Sequence, residues 1–206
     1  MGADNKELYE KFILSTAEYI KSLDTNHMVS VGSEGSYGSE NDMDLYRRVH
    51  QTEYLDYLTL HIWTKNRMWI DIRDIPGSVE RASAAADKYL DEHIALAEEL
   101  NKPIVLSEFG FPRDNHLYNR EDPVTARNAF YEHIFNRLLE SVKDSGPFSG
   151  CNIWAWGGFS QPRNVFWQPG DDYCGDPSQE EQGLNSVFAQ DNTVSLIKSY
   201  VELIRQ

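Results

Sequence analysis

Apolar and polar positions along the chain keep two rhythms, one helical and one extended, and the pair recurs four times. Leu8, Phe12, Ile13, Ala17 and Ile20 fall at helical spacing and predict an amphipathic helix from about Lys6 to Leu23. His27-Met-Val-Ser-Val-Gly reads as a short strand, closed by the turn-rich Ser33-Glu-Gly-Ser-Tyr-Gly. A short helix near Asp44 to Gln51 leads to a second strand, Leu55 to Trp63. An Ala- and Glu-rich segment from roughly Val79 to Leu100 predicts a long helix. The third strand, around Ile104-Val-Leu-Ser-Glu-Phe-Gly, is the apolar run expected of a strand covered on both faces. Asp122-Pro123 predicts a helix start, with proline in the first turn, where its missing N–H costs little. That helix runs to about Lys143. The fourth strand spans Gly150 to Gly158, and a connection of more than thirty residues separates it from a last helix near Thr193 to Ile204. So long a connection is either functional or hides an element.

Strands alternating with helices imply a parallel sheet with right-handed crossovers. Four βα units do not close a barrel of eight, and the chain opens on a helix. The expected fold is therefore α/β: the C-terminal half of a (β/α)8 TIM barrel, as a single partial-barrel domain over residues 1–206. Met1-Gly2 directly before a helix reads as an expression start.

Side chains two apart share a strand face. Thr59, His61 and Trp63 should oppose Leu58, Leu60 and Ile62; Asn152, Trp154 and Trp156 should oppose Ile153 and Ala155; Leu106 and Glu108 should go together. Four strand tips then offer Glu34, His61 with Trp63, Glu108, and Trp154 with Trp156 to one barrel mouth, where such folds mount their chemistry. Each has a competing reading: Glu108 as a helix cap or loop brace, His61 as a satisfied core histidine, the tryptophans as packing, Glu34 as a tie from its own turn to the next loop. Their convergence at strand ends favours a carbohydrate site.

The formal net charge of −14 argues against nucleic acid or an anionic membrane as partner, since phosphate binding needs clustered Lys and Arg. No apolar stretch approaches a membrane span. Five Trp and eleven Tyr suit sugar stacking, although aromatics also fill ordinary cores. Cys151 and Cys174 form neither a disulfide framework nor metal-ligand spacing, and Cys151 reads as a small buried hydrophobe. Asp171, Asp172 and Asp176 match no standard calcium loop and read as a solvated acidic turn, beside Trp167 and Tyr173. No metal or cofactor is expected.

The motifs resemble a known family. Asp24-Thr-Asn-His-Met-Val-Ser-Val-Gly-Ser-Glu-Gly, Thr59-Leu-His-Ile-Trp, Pro103-Ile-Val-Leu-Ser-Glu-Phe-Gly and Gly150-Cys-Asn-Ile-Trp-Ala-Trp are similar to strands five to eight of glycoside hydrolase family 5 β-mannanases, retaining (β/α)8 enzymes. The resemblance implies Glu108 as nucleophile and His61 lining the subsite of the cleaved bond. It implies Trp154 as the platform under the central sugar, Trp156 as its neighbour, and Glu34 as a contact on the leaving-group side. The family often has Tyr where Trp63 stands; an indole N–H can donate in its place. A retaining enzyme needs a second carboxyl roughly 5–5.5 Å from the first. The family supplies it from an Asn-Glu pair at the fourth strand, which would precede Met1. The chain alone is therefore expected to hydrolyse mannan negligibly. Its expected partners are β-mannan or a related oligosaccharide, and either a second copy through exposed sheet edges or the N-terminal half. The resemblance implies a secreted or periplasmic parent. Two other readings stay open: a non-catalytic carbohydrate-binding remnant, and a β-glucanase or exo-β-mannosidase of the same family.

Overall fold

The computed structural model describes residues 5–205, so Met1 and Gly2 lie outside the described residues. Helices α1 (Lys6–Leu23) and α2 (Met43–His50) precede strand β1 (Leu58–Trp63). They are followed by α3 (Val79–Glu99), β2 (Ile104–Gly110), α4 (Thr125–Lys143), β3 (Phe148–Ile153), β4 (Trp156–Gly158), β5 (Val187–Phe188) and α5 (Asn192–Ile204). Strands β1, β2 and β3 form one parallel sheet in that order, and β4 and β5 form a second, two-stranded parallel one.

The main core lies between the larger sheet and the helices α3 and α4. Leu58, Leu60 and Ile62 of β1 and Ile104, Leu106 and Phe109 of β2 are fully buried in it. Helix α3 meets them with Ala82, Ala86, Leu90 and Ala97, a stripe of small and aliphatic residues at helical spacing. A smaller core of Ala17, Leu45, Val49 and Leu55 fastens α1 to α2.

Four expectations change. Residues 27–34 lie beside the start of β1 without forming a ladder, and the positive φ of Gly32 (+69°) interrupts the strand expected there. The Asp56 N–H donates to the Val29 carbonyl at 2.9 Å, and Thr59 Oγ1 donates to the Ser33 carbonyl at 2.9 Å. Second, α4 starts at Thr125, beyond Pro123: Asp114 accepts from the Thr125 and Ala126 N–H groups at 3.1 and 2.8 Å, so its carboxylate caps the helix from eleven residues upstream. Third, β3 ends at Ile153, a cis peptide joins Trp154 to Ala155, and Trp156 starts a separate strand. The period-two reading across Asn152, Trp154 and Trp156 does not survive that break. Fourth, the long final connection hides β5, and Phe166 and Glu181 form an isolated bridge within it.

Candidate active site

The register of β1 against β2 slips by one residue just before the site. Leu60 lies opposite Leu106, but His61 lies opposite Glu108, so Ser107 is the extra residue of a bulge. Its consequence is a change of parity. Ile104 and Leu106 face the helices, and after the bulge Phe109 and Phe111 do, all four fully buried. Glu108 therefore turns away from the face that Leu106 occupies, contrary to strict alternation, and into the cavity.

That cavity measures about 540 Å³, within the ordinary range for a small-molecule site. Of the residues singled out from sequence, Glu34, Trp63, Glu108 and Trp154 line it. His61 stands behind Glu108, with Nδ1 3.3 Å from Oε2. Trp63 and Trp154 meet edge to face with ring centroids 6.4 Å apart. Trp156 is 57% exposed and does not line this cavity. Glu34 is exposed at the start of a 3-10 turn (Gly35–Ser39), and its carbonyl accepts from the Tyr89 hydroxyl at 2.7 Å.

The glycine of Ser-Glu-Phe-Gly has a local cause. A Cβ on Gly110 would come within 2.8 Å of the Trp63 ring and 2.9 Å of the Trp154 carbonyl. Only a bare backbone lets both tryptophans close on the strand tip that follows Glu108.

Burial holds the His61 imidazole below its ordinary pKa, against the pull of Glu108 and Glu34 and with the help of Arg67. The ring lies within ion-pair distance of one Glu108 oxygen, so its charge state bears directly on that carboxylate. Glu180, on the cavity wall, is shifted the other way: burial, followed by the charge of Asp176, raises its carboxyl.

Arg67, Tyr37, Pro177 and Glu180 also line the cavity and were not picked out from sequence. Arg67 follows the β1 tip closely enough that a βα-loop rule would have found it. Its guanidinium lies over the rings of Tyr37 and Tyr89, 3.8 and 4.3 Å from their centroids, and Nη2 donates to the His61 carbonyl at 2.6 Å. Pro177 and Glu180 arrive from the long connection and have no local signal except its length.

The acidic turn uses its carboxylates internally. Asp171 accepts from Asn164 and the Gln168 N–H, Asp172 from the Gln161 N–H, and Asp176 from the Gly183 N–H and Ser186 Oγ. Among the described residues, no three His, Cys, Asp or Glu side chains are grouped to hold a metal ion. Cys151 and Cys174 are both free thiols, and burial pushes Cys151 up to about 12.

Proteins of similar sequence and fold are known. A glycoside hydrolase family 5 mannosidase from Rhizomucor miehei superposes with a TM-score of 0.84 at 29% identity, covering 95% of this chain and 49% of its own. A mutant of the Rhizomucor miehei mannosidase, solved with mannosyl-fructose, superposes with a TM-score of 0.85 at 30% identity and similar coverage. An endo-β-1,4-mannanase from Thermotoga petrophila shares the fold, with a TM-score of 0.61 at 20% identity over 97% of this chain and 40% of its own. The mannan endo-1,4-β-mannosidase 4 of Solanum lycopersicum is 28% identical over 158 residues, which make up 71% of this chain and 36% of the tomato protein. The chain thus spans about half of each Rhizomucor structure and little more than a third of the tomato enzyme. The family model described as glycoside hydrolase family 5 β-mannosidase-like matches residues 1–206, so the chain belongs to glycoside hydrolase family 5, in its β-mannosidase-like group.

Proposed function

We infer that this chain supplies the nucleophile-bearing half of a retaining hydrolase for β-mannosidic bonds in mannan and manno-oligosaccharides. One observation carries the reading: the Glu108 carboxylate at a barrel-strand tip, 3.3 Å from His61, in a cavity walled by Trp63 and Trp154. Glu108 attacks the anomeric carbon of the sugar stacked on Trp154, the glycosidic C–O bond breaks, and a glycosyl-enzyme ester forms. The departing oxygen takes a proton from a second carboxyl, which then activates the water that hydrolyses the ester. We assign that second carboxyl to the other half of the barrel, so the chain alone should leave mannan intact.

A second reading concerns where the polymer is cut. Pro177 and Glu180 line the cavity, and Lys65 Nζ pins their loop through Glu181 at 2.8 Å. Likeness to a β-mannosidase-like family and to the Rhizomucor miehei mannosidase supports release of terminal mannose, an exo mode in place of the endo mode implied by motif resemblance.

The nucleophile is testable without the second carboxyl, because fluoride leaves without a proton donor. Incubation with 2-deoxy-2-fluoro-β-mannosyl fluoride should label the peptide containing Glu108, and Glu108→Gln should stay unlabelled. Labelling elsewhere, or Glu108-dependent release of reducing sugar from galactomannan by the chain alone, would refute the respective assignment.

A further inference from the structure

Tyr37 belongs to two cavities. It lines the one that holds Glu108, and it also lines a second of about 340 Å³ on the outer side of the same loops. This second cavity is lined by the exposed Tyr37, the half-buried Trp69 and the largely buried Tyr89, with the polar side chains Asn41, Lys88 and Glu92. Aromatic surface rimmed by an amide, an ammonium and a carboxylate has the composition that holds a neutral sugar, with ring faces for C–H groups and donors and acceptors for hydroxyls.

The shared wall is built to be stiff. The Arg67 guanidinium lies 3.8 Å from the Tyr37 ring centroid and 4.3 Å from that of Tyr89, while Tyr37 and Tyr89 are themselves 5.2 Å apart. Trp69 packs edge to face on Tyr89 at 6.2 Å. The Tyr89 hydroxyl is tied to the Glu34 carbonyl at 2.7 Å, so this aromatic group and the Glu34 turn form one unit. Tyr37 nevertheless stays 41% exposed. A ring held by a cation and still open to solvent is pre-organised for stacking, because little side-chain freedom is left to lose on binding.

We propose that the cavity of Tyr37, Trp69 and Tyr89 is a remote subsite for a mannosyl unit of a longer chain, reached from the Glu108 cavity by crossing the Tyr37 ring. The proposal rests on the β-mannoside reading of the Glu108 cavity and adds a second point of contact on the Glu34 side. On this proposal mannobiose held at Trp154 leaves the Trp69 cavity empty, whereas mannohexaose occupies both.

Indole N–H signals in a proton–nitrogen correlation spectrum separate the two sites, once Trp69 and Trp154 are assigned by substitution to Phe. Mannobiose should move the Trp154 signal alone, and mannohexaose should move both. By calorimetry, Trp69→Ala should shrink the preference for mannohexaose over mannobiose about tenfold, equivalent to about 1.4 kcal/mol. Trp154 moving while Trp69 stays still with mannohexaose overturns the remote subsite and leaves the central reading intact. Neither indole moving at saturating sugar overturns both. Trp69 moving without Trp154 keeps the outer site and overturns the central one.

Discussion

His50 and His93 are buried behind the site on either side of Tyr46, with ring centroids 4.2 and 5.2 Å from it. His93 must be neutral to make its contacts: Nδ1 donates to the Tyr89 carbonyl at 2.7 Å, and Nε2 accepts from the Ser36 N–H at 2.9 Å. Burial pushes both rings down to about 4, and in both cases the backbone carbonyl contact opposes it. Between that value and the ordinary 6.5 the unfolded chain binds more protons than the folded one, so stability falls as pH drops through the window. Going from pH 7 to pH 5 should remove on the order of 2 kcal/mol per histidine. His61 is lowered in the same direction, whereas burial raises Asp176 and works the other way. Urea midpoints should therefore be lower at pH 5 than at pH 7; an equal or higher midpoint at pH 5 would contradict this account. Because His93 holds the Ser36 N–H, the same acidification should loosen the Glu34 turn first.

At the scale of elements, the connection from β4 to β5 is fixed by two arginines with no exposure at all. Arg127 of α4 donates to the carbonyls of Phe111, Leu184 and Ser186. Arg113 pairs with Asp191 at 2.6 Å and donates to the Asp122 carbonyl at 2.8 Å. Burial lowers Arg127 to about 10, still high enough to keep its charge at neutral pH. The guanidinium serves three carbonyls that have no water to turn to, so it is a rivet for the loop that brings Pro177 and Glu180 to the cavity. Arg127→Met should cost on the order of 3 kcal/mol, because it leaves buried carbonyls without a donor. Amide exchange should accelerate most between residues 183 and 188. A loss below about 1 kcal/mol in urea unfolding would show that the loop stands without it. Gly183 adds a second constraint: its φ is +92°, and a Cβ there would lie 2.4 Å from the Tyr118 carbonyl.

Over the whole molecule, the helix that opens the chain is the least covered. Leu8, Phe12, Tyr19 and Leu23 lie exposed along α1, and Met28 is exposed just beyond it. β1 is an edge strand of the larger sheet, and residues 27–34 beside it form no ladder, the kind of edge that recruits another strand. We expect the isolated chain to associate, and the N-terminal half-barrel to suppress that association when it is supplied. Light scattering reads this directly: a monodisperse monomer of the chain alone would refute it.

Much of this was legible in the order of residues. The alternation of helix and strand gave a parallel α/β half-barrel, since amphipathic spacing is a local property and parallel pairing follows from it. The tip carboxylate Glu108 and its neighbours His61, Trp63 and Trp154 were found the same way, because a strand that ends in a polar residue marks the barrel mouth. What escaped was whatever depends on a partner far away in sequence. The bulge at Ser107 reversed the face of Glu108 relative to Leu106, and a single inserted residue leaves the apolar pattern almost unchanged. Trp156 left the cavity because β4 pairs with β5, about thirty residues on. Asp114, not Pro123, decided where α4 begins. Arg67 found its place between two tyrosines, and Glu180 reached the cavity on a loop held by buried arginines. Sequence alone determined which segments could be strands and which chemical groups stood at their ends. Packing decided which of those groups meet, because a side chain's direction is set by pairing register and buried hydrogen bonds, and neither is a property of neighbours along the chain.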